Sequence, residues 1–200
     1  MTMQNHAQEI ILMAQEDMHL RARLAKTGAL FDGYHPDMER LHTAHAQRLE
    51  KIIADIGKWP NAETVGTDAA EAAWLITQHA IGLPDFQRKM FGLIRTAAHA
   101  GRVPAWQMAY LEDRICTFEG RAQIYGTQFD WDGAGELSPL PIENAQDVNM
   151  RRAAAGLGTI EDKTEELRRH ARAENNTAPK DMTKHRKDAE DWARKAGWRS

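Results

Sequence analysis

Apolar residues recur at helical spacing over most of the first 120 positions. Ile10, Ala14, Met18 and Leu24 share one side of a segment from about His6 to Lys26, which Gly28 stops. A second segment, from about Pro36 to Ile56, carries Met38, Leu41, Leu49, Ile52, Ile53 and Ile56 and ends at Gly57. A third opens at Thr67 or Asp68, both good caps, and runs to Ala80 with Ala69, Ala72, Ala73, Leu75 and Ile76; its alanines admit a close helix neighbour. A fourth spans about Pro84 to Ala100 and a fifth about Pro104 to Glu119, stopped by Gly101 and Gly120. Prolines 36, 60, 84 and 104 fall near the starts of such segments, where a missing N–H is harmless.

The period then changes from helical to alternating. Gln123, Tyr125, Thr127, Phe129 and Trp131 share one face of an expected strand. Asp132-Gly133-Ala134-Gly135 is turn chemistry, and residues 136–142 return as a partner confined to an edge by Pro139 and Pro141. Asn144 or Asp147 caps a short helix to Ala155, and Thr159 with Asp162 opens another to about Ala173. Residues 174–182 read as a flexible linker and 183–200 as an amphipathic tail bearing Trp192 and Trp198. The expected fold is mainly α: a compact bundle of about five to seven helices with one small β-hairpin, spanning 1–173, followed by a separable tail.

Composition narrows the function classes. With 26 Lys plus Arg against 29 Asp plus Glu, the 200-residue chain has a net charge of −3, which argues against a nucleic-acid partner. No apolar run approaches the ~18 residues of a membrane span, and the first residues lack a charged-then-apolar leader, so a cytoplasmic protein is expected. A single cysteine, Cys116, leaves no intramolecular disulfide, and its apolar neighbours suit a buried hydrophobe better than a nucleophile. Phosphate-cradling glycine loops and the Gly-x-Ser-x-Gly elbow are missing from the sequence.

Several polar residues then invite a chemical reading. Glu39 and His42 stand three apart on the second helix, the Glu-x-x-His spacing of carboxylate-bridged metal bundles, and Glu16 with His19 repeats it on the first. Chance supplies such pairs readily, so Glu39 and His42 are weak metal candidates and no cofactor is assigned. His79, next to Gln78, points to the apolar side of the third helix. It is either a core histidine or a general base. Asp113 and Arg114 lie between Leu111 and Ile115, where one charge must approach the buried face and needs a partner. Gln123, Tyr125 and Gln128 crowd a six-residue stretch around Gly126, either capping helix ends or lining a ligand pocket.

Taken in order, these segments resemble a family. They are Tyr34-His35-Pro36-Asp37-Met38-Glu39 with His42, then Trp59-Pro60 and Val65-Gly66, then Ala73-Trp74 through Gln78-His79. Tyr110 through Asp113-Arg114, Gln123 through Phe129, and Pro141-Ile142 through Arg151-Arg152 to Gly156-Leu157 complete the set. The combination, over about residues 30–165, is similar to an uncharacterised bacterial family, domain of unknown function 6624. The family reads Gly-Trp-Pro where Lys58 is inserted here, and often Asn at His45. The resemblance implies no activity, but its pattern singles out His42, Gln78, His79, Asp113, Arg114, Gln123, Tyr125, Gln128 and Arg152. Two functions remain open. One is a hydrolase or group-transfer enzyme in which His79 is the general base held by Asp113, with Gln78, Arg114, Gln123, Tyr125, Gln128 and Arg152 gripping a small-molecule substrate. The other is a non-catalytic module that binds a ligand or partner protein, with the same cluster structural. The sharpest expectation is that His79, Asp113 and Gln128 converge.

Overall fold

The computed structural model describes residues 2–31 and 33–200. It is mainly helical, with one two-stranded antiparallel hairpin. The contacts divide the chain into two compact units, Met1–Val103 and Pro104–Ser200. The break falls at a helix start inside the stretch read from sequence as one domain, and it groups the tail with the second unit.

In the first unit, α1 (Met3–Thr27), α2 (Pro36–Ile56), α3 (Ala62–Val65), α4 (Thr67–His79) and α5 (Pro84–His99) follow in order. Most boundaries match the sequence periodicity because the signals at each end are local. Thr2 caps α1, His35 caps α2 ahead of Pro36, and Gly28 and Gly57 close those helices in the left-handed conformation. Helix α3 was not anticipated. It is four residues long and held by a capping box in which Asn61 and Thr64 satisfy each other's backbone.

Helices α1 and α2 run antiparallel, and a row of polar pairs fixes their register. His6 faces Asp55 at 3.6 Å, Arg48 grips both Glu9 oxygens at 2.5 and 2.7 Å, and His45 meets Glu16 at 3.1 Å. Helix α4 packs closely on α1, and its Ala69, Ala72 and Ala73 are all buried. One face assignment on α1 needs correction. Met18 is 48% exposed, and the buried set is Ile10, Met13, Ala14, Asp17 and Leu24.

The second unit contains α6 (Ala105–Phe118), β1 (Phe129–Trp131), β2 (Leu137–Pro139), α7 (Val148–Ala154), α8 (Ile160–Ala173) and α9 (Met182–Lys195). These bring the described helices to nine, above the expected five to seven. The strand expected over 123–131 is regular only from Phe129. Residues 123–128 instead form a loop touching Ile142 through a single bridge at Gln123. Asp132 organises the hairpin turn as expected, its carboxylate accepting from the Ala134 and Glu136 amides and the Ser138 hydroxyl. Beyond α8, Phe118 packs against Trp192 and Trp198, and Arg199 donates to the Phe118 and Thr117 carbonyls at 2.7 and 2.8 Å.

Candidate functional site

Two polar clusters stand out, one in each unit. The first gathers side chains from three helices. Asp17 on α1 is fully buried, His42 on α2 is 6% exposed, and His79 at the end of α4 is 20% exposed. The His79 Nδ1 lies 2.7 Å from Asp17 Oδ2, and His42 Nε2 lies 3.4 Å from the same oxygen. An ionised carboxylate only accepts, so the His79 Nδ1 that faces it carries a proton.

Each member is located by its surroundings. The polar row between α1 and α2 sets the register that brings Asp17 opposite His42. The α4 terminus is steadied by buried Gln87, whose amide donates to the Thr77 and Gln78 carbonyls at 2.7 and 3.3 Å. Those carbonyls belong to the last helical turn, which has no intrahelical donors of its own. His42 is held at its other nitrogen: the Tyr34 hydroxyl lies 2.8 Å from Nδ1, and the two rings stack at 5.7 Å. Tyr34 in turn lies over Gly82, where a Cβ would come within 2.9 Å of Tyr34 Cε1.

The electrostatics follow from this packing. Burial would raise the Asp17 pKa, but the adjoining His42 and His79 outweigh it and hold the carboxyl well below the usual range. Burial first, then the charges of Glu39 and Asp17, pushes the Tyr34 phenol above its ordinary value. Tyr34 therefore stays protonated. Two atoms of the cluster, Asp17 Oδ1 and His42 Nε2, are buried with no hydrogen-bond partner, and so are both amide atoms of Gln78 among the described residues. Leaving such groups unsatisfied costs about 1–3 kcal/mol each.

The second cluster has the opposite character. Asp113, fully buried on α6, accepts from the backbone amides of Ile124, Tyr125 and Thr127 at 2.6 to 3.2 Å, using both oxygens. Gln123 donates to the Gln128 and Leu140 carbonyls and accepts the Gln128 amide. Arg152 donates to the carbonyls of Gly158, Tyr125 and Gly126, and burial lowers its pKa. The Gln128 side-chain amide reaches Thr127, and the Tyr125 phenol is raised by burial. Arg114 is half-buried on the same helix as Asp113. The residues from α6, the 123–128 loop and α7 thus meet one another, chiefly through backbone groups.

His79 and Asp113 are each engaged within their own unit. The carboxylate on His79 is Asp17, 62 residues upstream and within the same unit. Glu39 is exposed on α2, and the residues grouped with His42 are Asp17 and His79 instead. Glu16 and His19, its counterpart on α1, are likewise exposed, with Asp17 buried between them. Sequence reasoning passed over Asp17. Its signal was an acid in the otherwise apolar stripe Ile10, Met13, Ala14, Leu24.

Among the described residues no helix is long and apolar enough to cross a membrane. Comparison with curated proteins and with solved structures gives no match. Residues 4–171, most of both units, match DUF6624, a family of unknown function, and the chain belongs to that family.

Proposed function

We propose that the Asp17–His79 pair is the reactive centre of a hydrolase or group-transfer enzyme whose nucleophile is water. The observation that carries this reading is the 2.7 Å contact between His79 Nδ1 and a fully buried carboxylate, with His79 itself partly open to solvent. In that arrangement Asp17 fixes the tautomer and Nε2 takes a proton from water as the water oxygen attacks an electrophilic carbon or phosphorus. The same Nε2–H then returns the proton to the leaving group. Cys116 offers no alternative nucleophile, since it lies buried in the second unit with its thiol pushed up by burial.

The polar residues of the second unit take the structural role in this reading. Asp113, Gln123 and Arg152 spend their hydrogen bonds on backbone groups of the loop they enclose. A pocket lined by Gln128 or Arg152 is the competing arrangement. The test is a thermal-shift metabolite screen followed by a panel of ester, amide and phosphoester substrates, run on wild type, His79→Ala and Gln128→Ala. Turnover lost in His79→Ala but retained in Gln128→Ala supports the reading. The reverse pattern moves the site to the second unit.

A further inference from the structure

We propose that Asp17, His42 and His79 hold a divalent first-row transition-metal ion of the zinc, iron or manganese type. The inference rests on the reading of this cluster as the working centre, and it names what makes the hydroxide there. One donor atom from each residue lies within 4.8 Å of the other two. The separations from Asp17 Oδ2, 2.7 Å to His79 Nδ1 and 3.4 Å to His42 Nε2, span the ~3.0–3.4 Å between neighbouring ligands around an ion bonded at about 2.1 Å.

The unsatisfied atoms point the same way. Asp17 Oδ1 and His42 Nε2 are both buried with no hydrogen-bond partner among the described residues, and a bound cation would satisfy them. They are atoms of two of the three proposed ligands. The ligand set also selects the ion. Two imidazoles and one carboxylate suit zinc, iron or manganese, whereas calcium and magnesium take oxygen ligands almost alone. Three protein ligands leave at least one position for water, and the partial exposure of His79 provides its way in.

Tyr34 completes the design from outside. Its hydroxyl oxygen, 2.8 Å from His42 Nδ1, can accept that ring N–H and holds the ring so that Nε2 faces Asp17, the orienting role that hydrogen-bond partners play behind metal-binding histidines. With the ion bound, the metal lowers the pKa of its own water and supplies hydroxide, and His79 changes from proton acceptor to ligand through Nδ1.

The test is calorimetric titration of the chelator-stripped full chain with zinc chloride, with magnesium and calcium as controls. Wild type is expected to bind one zinc per chain and to melt at a higher temperature with it, and magnesium and calcium to give neither effect. Asp17→Asn and His42→Ala are expected to weaken zinc binding roughly 100-fold or more, and Tyr34→Phe, which keeps all three ligands, about 10- to 100-fold. Circular dichroism verifies folding, and Tyr34→Phe carries the test if a ligand variant does not fold. Failure of wild type to bind zinc overturns the inference, as does zinc binding of wild-type strength in folded ligand variants. Turnover that persists in the stripped protein overturns it too, while sparing His79 as the base. Zinc binding with no turnover of any substrate supports the metal site and overturns the hydrolytic reading instead.

Discussion

Asp17 and Asp113 are the same residue in the same setting, each fully buried inside a helix, yet their partners differ completely. Asp113 has three backbone amides across its two oxygens and closes a loop that would otherwise have no donors' partners. Asp17 has two histidines crowded on one oxygen and, among the described residues, no partner on the other. A buried charge whose hydrogen bonds are all spent on backbone is scaffold. One left half-satisfied beside titratable rings carries a cost that a bound ion or water would offset. Burial alone does not separate the two cases; counting partners atom by atom does.

The comparison breaks first on stability. Asp113→Ala strands three amides of the 123–128 loop and is expected to cost about 3–5 kcal/mol in urea unfolding, the largest effect of any single polar substitution here. A cost below about 1 kcal/mol would remove Asp113 from the scaffold. Next comes the tail. Trp198 is 3% exposed against Phe118, and Trp198→Ala is expected to lower stability by about 3 kcal/mol. Clean proteolytic removal of residues 174–200 without loss of melting temperature would instead make the tail separable.

Gly126 offers a finer test of the same loop. It has φ +70°, and a Cβ there would come within 2.7 Å of Ile160 Cδ1 and 2.9 Å of Ile142 Cδ1. Gly126→Ala is therefore expected to cost roughly 1–3 kcal/mol. In the first unit the effects on stability shrink. Asp17→Asn is expected to cost roughly 1.5 kcal/mol at neutral pH, the value of a hydrogen bond to a charged group. Because the folded pKa of Asp17 lies below its unfolded one, its contribution is present above the ordinary carboxylate range and is lost as pH falls toward the depressed value. The wild type and Asp17→Asn unfolding midpoints should therefore begin to converge below about pH 4 and meet only as the pH nears the depressed value. His79→Ala, at a partly exposed helix end, is expected to change stability by less than about 1 kcal/mol while abolishing turnover.

Much of the helical architecture was legible because its signals are local: caps, prolines at helix starts, glycines at helix ends and 3.6-residue periodicity. The 123–128 stretch misled for a physical reason. Its alternation of polar and apolar residues imitates a strand, but its amides are taken by the Asp113 carboxylate instead of a neighbouring strand. At Gly126 the approaching groups are the side chains of Ile142 and Ile160. The His79 partner was beyond sequence reach. The spacing rule on α1 drew attention to Glu16 and His19, both exposed, and past the acid between them. Only the packing of α4 on α1 brings Asp17 to a histidine 62 residues away.

Nitrogen-15 NMR of the histidine side chains tests the centre most directly, because it reads which ring nitrogen carries the proton. In the metal-free protein, His79 is expected to carry a proton on Nδ1, shifted far downfield by Asp17. In Asp17→Asn the downfield proton should disappear. A His79 ring protonated at Nε2, with the same spectrum in Asp17→Asn, would contradict the proposed pair and with it the assignment of the reactive centre to the first unit.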